Sequence, residues 1–276
     1  MGMLKTPHEI ALLRESAELV SLTLAEVARH IVAGQTTKEL DRIAEDFIRS
    51  YDAEPAFKGY RMDKNHPAFP YTLCTSVNDA VVHGFPTDDP LREGDLVSID
   101  CGVFVNGYYG DSAYTFGVGE LTEENIRLCR TTYEALHIGI NAATSHGTVG
   151  DIGHAVQHYC EAQGMGVVRE LVGHGIGTQL HESPQVPNFG KARKGCRLRT
   201  GMTMCIEPMI NLGTADVMID TEDGWTVRSA DGSSSAHYEH MICIGSAESD
   251  ILTTFDYIEQ IITPPYQQQM NTFAYG

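Results

Sequence analysis

Residues 96–117 read LVSIDCGVFVNGYYGDSAYTFG, and the fold turns on how they pair. Two strand-like runs, 96–104 and 108–116, flank Asn106-Gly107. That dipeptide tolerates the left-handed conformation that a two-residue hairpin turn needs, which makes it the strongest short-range hairpin signal. A turn closed there sets Val105 against Tyr108, and the ladder then runs outward to Gly102 against Asp111. Asp100 lies two residues from Gly102 and shares its face, because strand side chains alternate. The two aspartates become diagonal neighbours, about 7–8 Å apart or less. The setting of Asp100, LVSIDCG, is apolar, which argues against a casual surface charge. Taken alone, two acids on a hairpin more often meet water or hydrogen-bond donors than a metal.

Outward from the hairpin the chain alternates helices and breaks. Ile10, Leu13, Ala17 and Val20 give residues 7–30 one apolar helical face. Ala33-Gly34-Gln35-Thr36 interrupts it, and a second helix starts near Thr37 with Leu40, Ile43, Ala44, Phe47 and Ile48 apolar. The pattern returns downstream. Residues 126–143 are periodic, Ser145-His146-Gly147-Thr148 breaks them, and Ile152, Ala155, Val156, Tyr159 and Cys160 follow. Leu40 after Thr36 and Ile152 after Thr148 keep one offset, as do Phe47 and Tyr159. Two similar halves are implied, about 1–120 and 121–262, although unrelated amphipathic helix pairs also match in part by chance. Further strand-like runs cover 167–172, 202–210 and 237–244. No proline-rich or charged linker divides the chain. Residues 1–262 therefore read as a single α+β domain, and 263–276 (TPPYQQQMNTFAYG), biased toward Pro and Gln, as a mobile tail.

Composition narrows the functional class. Of 276 residues, 42% are apolar, enough for a sizeable core. A net charge of −18 argues against nucleic-acid binding, which needs a basic footprint. No apolar run reaches membrane-spanning length. The seven cysteines include no CxxC pair, which argues against a disulfide framework or a thiolate zinc site. The first residues lack the basic-then-apolar pattern of a secretory signal, so a cytoplasmic location is expected.

Three more residues share apolar strand settings: His174 in GHGIG, Glu207 in MCIEPM and Glu239 in HYEHMI. Each alone is most simply a hydrogen-bonded buried polar group. Together with Asp100 and Asp111 they pose an electrostatic problem. Two carboxylates about 4 Å apart repel by roughly 4 kcal/mol at an effective dielectric near 20. No Lys or Arg lies within these motifs to offset that. Protons or cations must neutralise such a cluster, and two divalent ions would cancel four carboxylates. His154 and His158 are spaced as in a helical zinc-protease motif, but the intervening Ala-Val-Gln lacks its glutamate, so a solvated or partly packed helix face is expected.

Joined, these motifs resemble the type I methionine aminopeptidases. The resemblance spans LKTPHEIALLR, SVNDAVVHGFP, the hairpin itself, LVGHGIGTQLHESPQVPNFG, GMTMCIEPMI and DGWTVRSADGSSSAHYEH. It implies the pita-bread fold, a pseudo-two-fold α+β layout with a central antiparallel sheet covered by two helix pairs. It also implies two divalent metal ions: Asp100 on one, His174 and Glu207 on the other, Asp111 and Glu239 bridging. Oxygen-rich ligands with one imidazole suit Mn, Fe(II) or Co and do not exclude Zn. His83 would contact substrate near the scissile bond, His181 would steady its carbonyl, and Glu207 would relay a proton. Phe57, Tyr60, Phe69, Cys74, Leu180 and Trp225 would line the methionine pocket. Arg61 to Ala68 reads as an insertion beside that pocket, and Leu180 stands where the family often has an aromatic residue.

The activity so implied is removal of the N-terminal methionine from nascent polypeptides, preferentially before a small residue, by a monomer that works near or on the ribosome. The alternatives are an Xaa-Pro aminopeptidase or prolidase of the same fold, which usually carries a large extra N-terminal domain, and a metal-free binding protein of that fold, which should have lost ligands.

Overall fold

The computed structural model describes residues 3–64 and 66–268. Four long helices carry the apolar periodicity: α1 (Pro7–Ala28), α2 (Thr37–Ser50), α3 (Glu123–Ala142) and α4 (Val149–Ala162). A threonine precedes each. The Thr6, Thr36 and Thr122 hydroxyls accept from the N–H three residues on, and Asp151 accepts the N–H of Thr148. These bonds satisfy donors that the first helical turn leaves open. The offset between Thr36 and Thr148 survives in three dimensions. Each opens a 14-residue helix, and each makes an isolated antiparallel bridge, to Pro90 and Arg197 respectively.

The strands that position the site are β1 (Leu73–Val77), β2 (Ala80–Val82), β3 (Leu96–Val105), β4 (Tyr108–Gly117), β5 (Gly173–Gly175), β6 (Glu182–Val186), β7 (Thr203–Ile206), β8 (Met209–Asn211), β9 (Ser235–His237) and β10 (His240–Cys243). In the first half β3 pairs with both β1 and β4, and the expected register holds, with Val105 opposite Tyr108 and Gly102 opposite Asp111. Asn106 and Gly107 both have positive φ, 53° and 84°. In the second half the order is β10-β7-β5-β6, and β8 pairs with β9; all these pairs are antiparallel. Helix α1 lies on the β3–β4 hairpin, α3 against β7, β8 and β9, and α4 against β6. The main core fills the space between helices and strands, with Leu24, Leu40, Ile99, Leu128, Leu136 and Ile242 inaccessible to solvent.

A polar seam joins the halves. Glu239 N–H donates to the Ala113 carbonyl at 2.9 Å, and the Ser112 and Thr115 hydroxyls donate to the carbonyls of Glu239 and His237 at 2.6 and 2.8 Å. The expected strands of the second half are shorter than their apolar runs. The 202–210 run breaks at Glu207-Pro208, where proline has no N–H for the ladder, and the 237–244 run breaks at Tyr238-Glu239. Of 167–172, only Val167 pairs as strand, with Ile210.

The first residues of the expected tail, 263–268, are described. Residues 265–267 form a 3₁₀ turn, Tyr266 is buried with its ring stacked 4.0 Å from that of Tyr133, and Arg130 donates to the Tyr266 carbonyl. One buried aromatic outweighs a Pro- and Gln-rich composition. The rest of the expected tail, 269–276, lies outside the described residues.

Helix α1 touches the hairpin backbone to backbone. A Cβ on Gly110 would sit 2.6 Å from the carbonyl of Ser16, whose hydroxyl donates to Tyr108 at 3.1 Å. Gly110→Ala should therefore force helix and hairpin apart, at a cost of about 1–3 kcal/mol for overpacking. Calorimetry should read this as a drop of roughly 2–4 °C in Tm for each kcal/mol. An unchanged Tm would mean that the contact has slack.

Candidate active site

A cavity of about 530 Å³ opens between the halves, and every residue that the resemblance assigns to metal, substrate or side-chain pocket lines it. Its floor is acidic. The hairpin brings Asp100 and Asp111, the end of β7 brings Glu207, the gap between β9 and β10 brings Glu239, and β5 brings His174. His174 Nε2 lies 3.7 Å from Asp111 Oδ2 and 3.5 Å from Glu207 Oε1. Asp111, His174, Glu239 and Cys205 each offer an atom within 4.8 Å of the others. A side-chain hydrogen bond links the Asp100 and Asp111 carboxyl groups.

These groups are short of donors. Asp100 Oδ1, Asp111 Oδ1 and Glu239 Oε1 are buried without a hydrogen-bond partner among the described residues. No lysine or arginine is among the described lining residues. Burial drives all four carboxyl pKa values up, and neighbouring carboxylates add to the rise at Asp111, Glu207 and Glu239; Asp100 reaches about 7. His174 is held neutral, its pKa pushed down by burial to about 3. Its Nδ1 lies 3.0 Å from the Gly175 carbonyl, which can only accept. That assigns the proton to Nδ1 and leaves the Nε2 lone pair facing the carboxylates. Five acceptors thus converge where hydrogen-bond donors are lacking, a donor set that fits divalent cations.

Cys205 is close but differs in kind. Burial, followed by the charge of Glu239, raises its pKa well above the usual thiol value, so it stays an S–H against that carboxylate. His237 was missed in the sequence reading. It is buried, its Nε2 is 3.9 Å from Glu207 Oε2, and it sits two positions before Glu239 in the HYEH motif. The two-residue spacing of His237 and Glu239 within one strand-like run of the sequence was the available signal.

The flanking histidines hold distinct places. His83 has φ 58°, a left-handed conformation unusual for a side chain larger than glycine, and such strain persists only where surroundings enforce it. Its carbonyl accepts from Thr226, its Nδ1 is buried without a partner among the described residues, and burial lowers its pKa to about 4. His181 sits edge-on to His174 at 4.2 Å between ring centroids, and its Nδ1 lies 2.6 Å from the Tyr60 hydroxyl.

One wall of the cavity is apolar. Phe57, Phe69, Cys74, Leu180 and Trp225 form one buried cluster, with Tyr60 packed against it. Phe57 fits because Gly102 has no side chain: a Cβ there would meet its ring at 2.5 Å. The Arg61–Ala68 segment does not displace Phe57 or Phe69 from the cavity. Gly59 N–H donates to the Phe69 carbonyl and Phe69 N–H to the Tyr60 carbonyl, both at 2.8 Å, so the segment loops out from a closed neck. It adds Met62 to the lining, and the His66 ring sits 4.4 Å from that of Trp225. His154 and His158 are exposed on α4, far from this chemistry in role, with rings parallel 6.0 Å apart.

Comparison with known proteins places this geometry. Residues 11–246 match metallopeptidase family M24. The methionine aminopeptidase of Clostridium perfringens is 47% identical, over 92% of this chain and 99% of its own length. Methionine aminopeptidase 1 of Bacillus subtilis is 45% identical over the same shares, 92% and 99%. The crystal structure of methionine aminopeptidase from Rickettsia prowazekii aligns with a TM-score of 0.88 at 37% identity, covering 91% of this chain and 99% of that one. A Pyrococcus horikoshii prolidase aligns at 0.74, but at 22% identity and over 64% of its own length, so it shares the fold alone.

The acid cluster predicts an inverted stability effect. In chelator, Asp111→Asn should be at least as stable as the wild type, because it removes one of several crowded carboxylates. With Mn²⁺ at about 100 times its Kd, the wild type should gain about 2.7 kcal/mol and the variant far less. Thermal unfolding with and without the ion measures both. A variant that is less stable than wild type in chelator would show Asp111 to be a satisfied structural acid instead.

Proposed function

The chain belongs to metallopeptidase family M24, among its methionine aminopeptidases, and on that premise we propose that two divalent cations held by Asp100, Asp111, His174, Glu207 and Glu239 serve removal of methionine from polypeptides whose second residue is small. Its two-halved α+β architecture is the pita-bread fold. The observation that supports the metal reading is the convergence of four carboxylates and one imidazole lone pair with buried, unpartnered oxygens.

Asp100 would hold one ion and His174 and Glu207 the other, with Asp111 and Glu239 shared. Bound there, the ions supply Lewis acidity, polarising a carbonyl and bringing the pKa of a water from 15.7 to about 7. Mn, Fe(II) and Co suit this oxygen-rich set, and Zn is compatible with it.

The chain's own groups do the rest. The carboxylate floor attracts the substrate's ammonium end and so favours a free N-terminus. His181 offers an N–H to the oxygen of the first peptide carbonyl, where negative charge grows during attack. His83, rigidly held, contacts the backbone beside the scissile bond. Glu207 accepts the proton released by water and returns it to the departing amine. The apolar wall of Phe57, Tyr60, Phe69, Cys74, Leu180 and Trp225 takes the methionine side chain. Burial and then Asp100 keep the Cys74 thiol protonated, a soft polarisable contact suited to a thioether. Leu180, in place of an aromatic, leaves this wall wider.

The natural substrates are nascent chains at or near the ribosome in the cytoplasm, met by a monomer. No helix among the described residues is long and apolar enough to cross a membrane.

Met-Ala-Ser and an Xaa-Pro peptide should be compared after reconstitution of the chain with each metal in turn. Met-Ala-Ser should be cleaved at least about 10-fold faster; the reverse order would favour a prolidase-type activity. Cys74→Ala should change the ratio of kcat/KM for Met, norleucine and Leu substrates by about 10-fold, the scale of one pocket contact, and leave metal content unchanged. Unaltered ratios would remove Cys74 from the pocket.

A further inference from the structure

Tyr60 was grouped with the apolar wall, yet its hydroxyl points elsewhere. It lies 2.6 Å from Nδ1 of His181. The two rings are tilted by 60° with centroids 5.0 Å apart, so the contact is a directed hydrogen bond rather than a stack. The tyrosine has little freedom to leave. Its N–H donates to the Phe57 carbonyl at 2.9 Å, and its carbonyl accepts from Phe69 at 2.8 Å, at the neck of the 61–68 loop.

A neutral imidazole has one donor nitrogen and one acceptor nitrogen, and a hydrogen bond at one decides the other. If His181 Nδ1 carried the hydrogen, Nε2 would turn a lone pair toward a cavity whose floor is already all acceptors: Asp100, Asp111, Glu207, Glu239 and Nε2 of His174. If Tyr60 donates, Nε2 carries the hydrogen and is attracted by those oxygens and by any carbonyl that enters. Electrostatics favours the second arrangement.

We propose that Tyr60 is a positioning residue for hydrolysis: its hydroxyl donates to Nδ1 of His181, so that the neutral ring presents Nε2–H to the substrate's carbonyl oxygen. This rests on the assignment of His181 to that carbonyl. It also gives the closed neck of the 61–68 loop a catalytic consequence, because the neck holds the backbone of Tyr60 in place.

The test uses Tyr60→Phe, which keeps the ring and its packing, and His181→Gln. In the zinc-loaded, ¹⁵N-histidine-labelled chain, with His181 assigned by its loss in His181→Gln, Nδ1 should resonate as a lone-pair nitrogen and Nε2 as an N–H. In Tyr60→Phe the Nδ1 signal should move toward the protonated range. On Met-Ala-Ser, Tyr60→Phe should lower kcat on the order of 10-fold, less than the 10²–10³ typical of deleting an oxyanion donor outright, with KM and zinc stoichiometry unchanged. In the His181→Gln background the same substitution should have little further effect, since the two residues act as one unit. A protonated Nδ1 in the wild type would overturn the proposal. So would an equal loss from Tyr60→Phe in both backgrounds, or a change confined to KM, which is the mark of a wall residue. Full activity of His181→Gln would overturn it through its premise, an outcome separable from the others because the tautomer is read without turnover.

Discussion

Mutual repulsion among Asp100, Asp111, Glu207 and Glu239 is the constraint around which the rest of the molecule is arranged. One buried carboxylate pair about 4 Å apart costs roughly 4 kcal/mol at an effective dielectric near 20. A domain's whole net stability is about 5–15 kcal/mol. A few uncompensated pairs would therefore cancel it, which is why the folded chain must take up either protons or cations there. The raised carboxyl pKa values express the first option and the unpartnered oxygens the second. Stability has to come from elsewhere: capped helices, a large apolar core and antiparallel sheets.

The backbone meets this constraint by using rigid elements for one pair of acids and strand breaks for the other. Asp100 and Asp111 sit on the longest hairpin, whose ladder leaves their relative position no freedom. Glu207 and Glu239 sit where a strand changes partner, β7 giving way to β8 and β9 to β10. At such a break the side chain need not alternate with its neighbours, so it can be aimed where the site requires. The seam between Glu239 and Ala113 then brings the two pairs together. Asn188 holds the Glu207 carbonyl at 3.0 Å and closes the other gap.

What was legible in the sequence follows from how local each determinant is. The register that opposes Gly102 to Asp111 depends only on a two-residue turn, so Asn106-Gly107 sufficed. The offset shared by Thr36 and Thr148 is likewise a local capping signal repeated in each half. Strand ends at Glu207 and Glu239 depend on which strand lies alongside, which periodicity does not carry. Tyr266 was hidden by the Pro and Gln around it, because composition averages over a segment while anchoring is the work of one ring. The 61–68 insertion advertises its length but not the hydrogen bonds between Gly59, Tyr60 and Phe69 that close its base. His237 carries no distinguishing signal of its own, because a buried histidine on a strand has ordinary structural uses.

The histidines complete the electrostatic logic. His83, His174 and His237 are pushed by burial to pKa values of about 4, 3 and 3, so near neutrality all three are uncharged beside an acidic floor. Their proximity to carboxylates would ordinarily favour the imidazolium, but removal from water wins. The consequence is that the protein brings no positive charge of its own to the cavity; no lysine or arginine is among its described lining residues. A resident cation such as lysine would neutralise one carboxylate and then compete with everything the site is built to receive. The uncompensated charge supports the proposed reading, in which divalent cations and the ammonium group of a polypeptide's first residue would bind there. Recognition of a free N-terminus and tolerance of a buried acid cluster are on this view the same electrostatic fact.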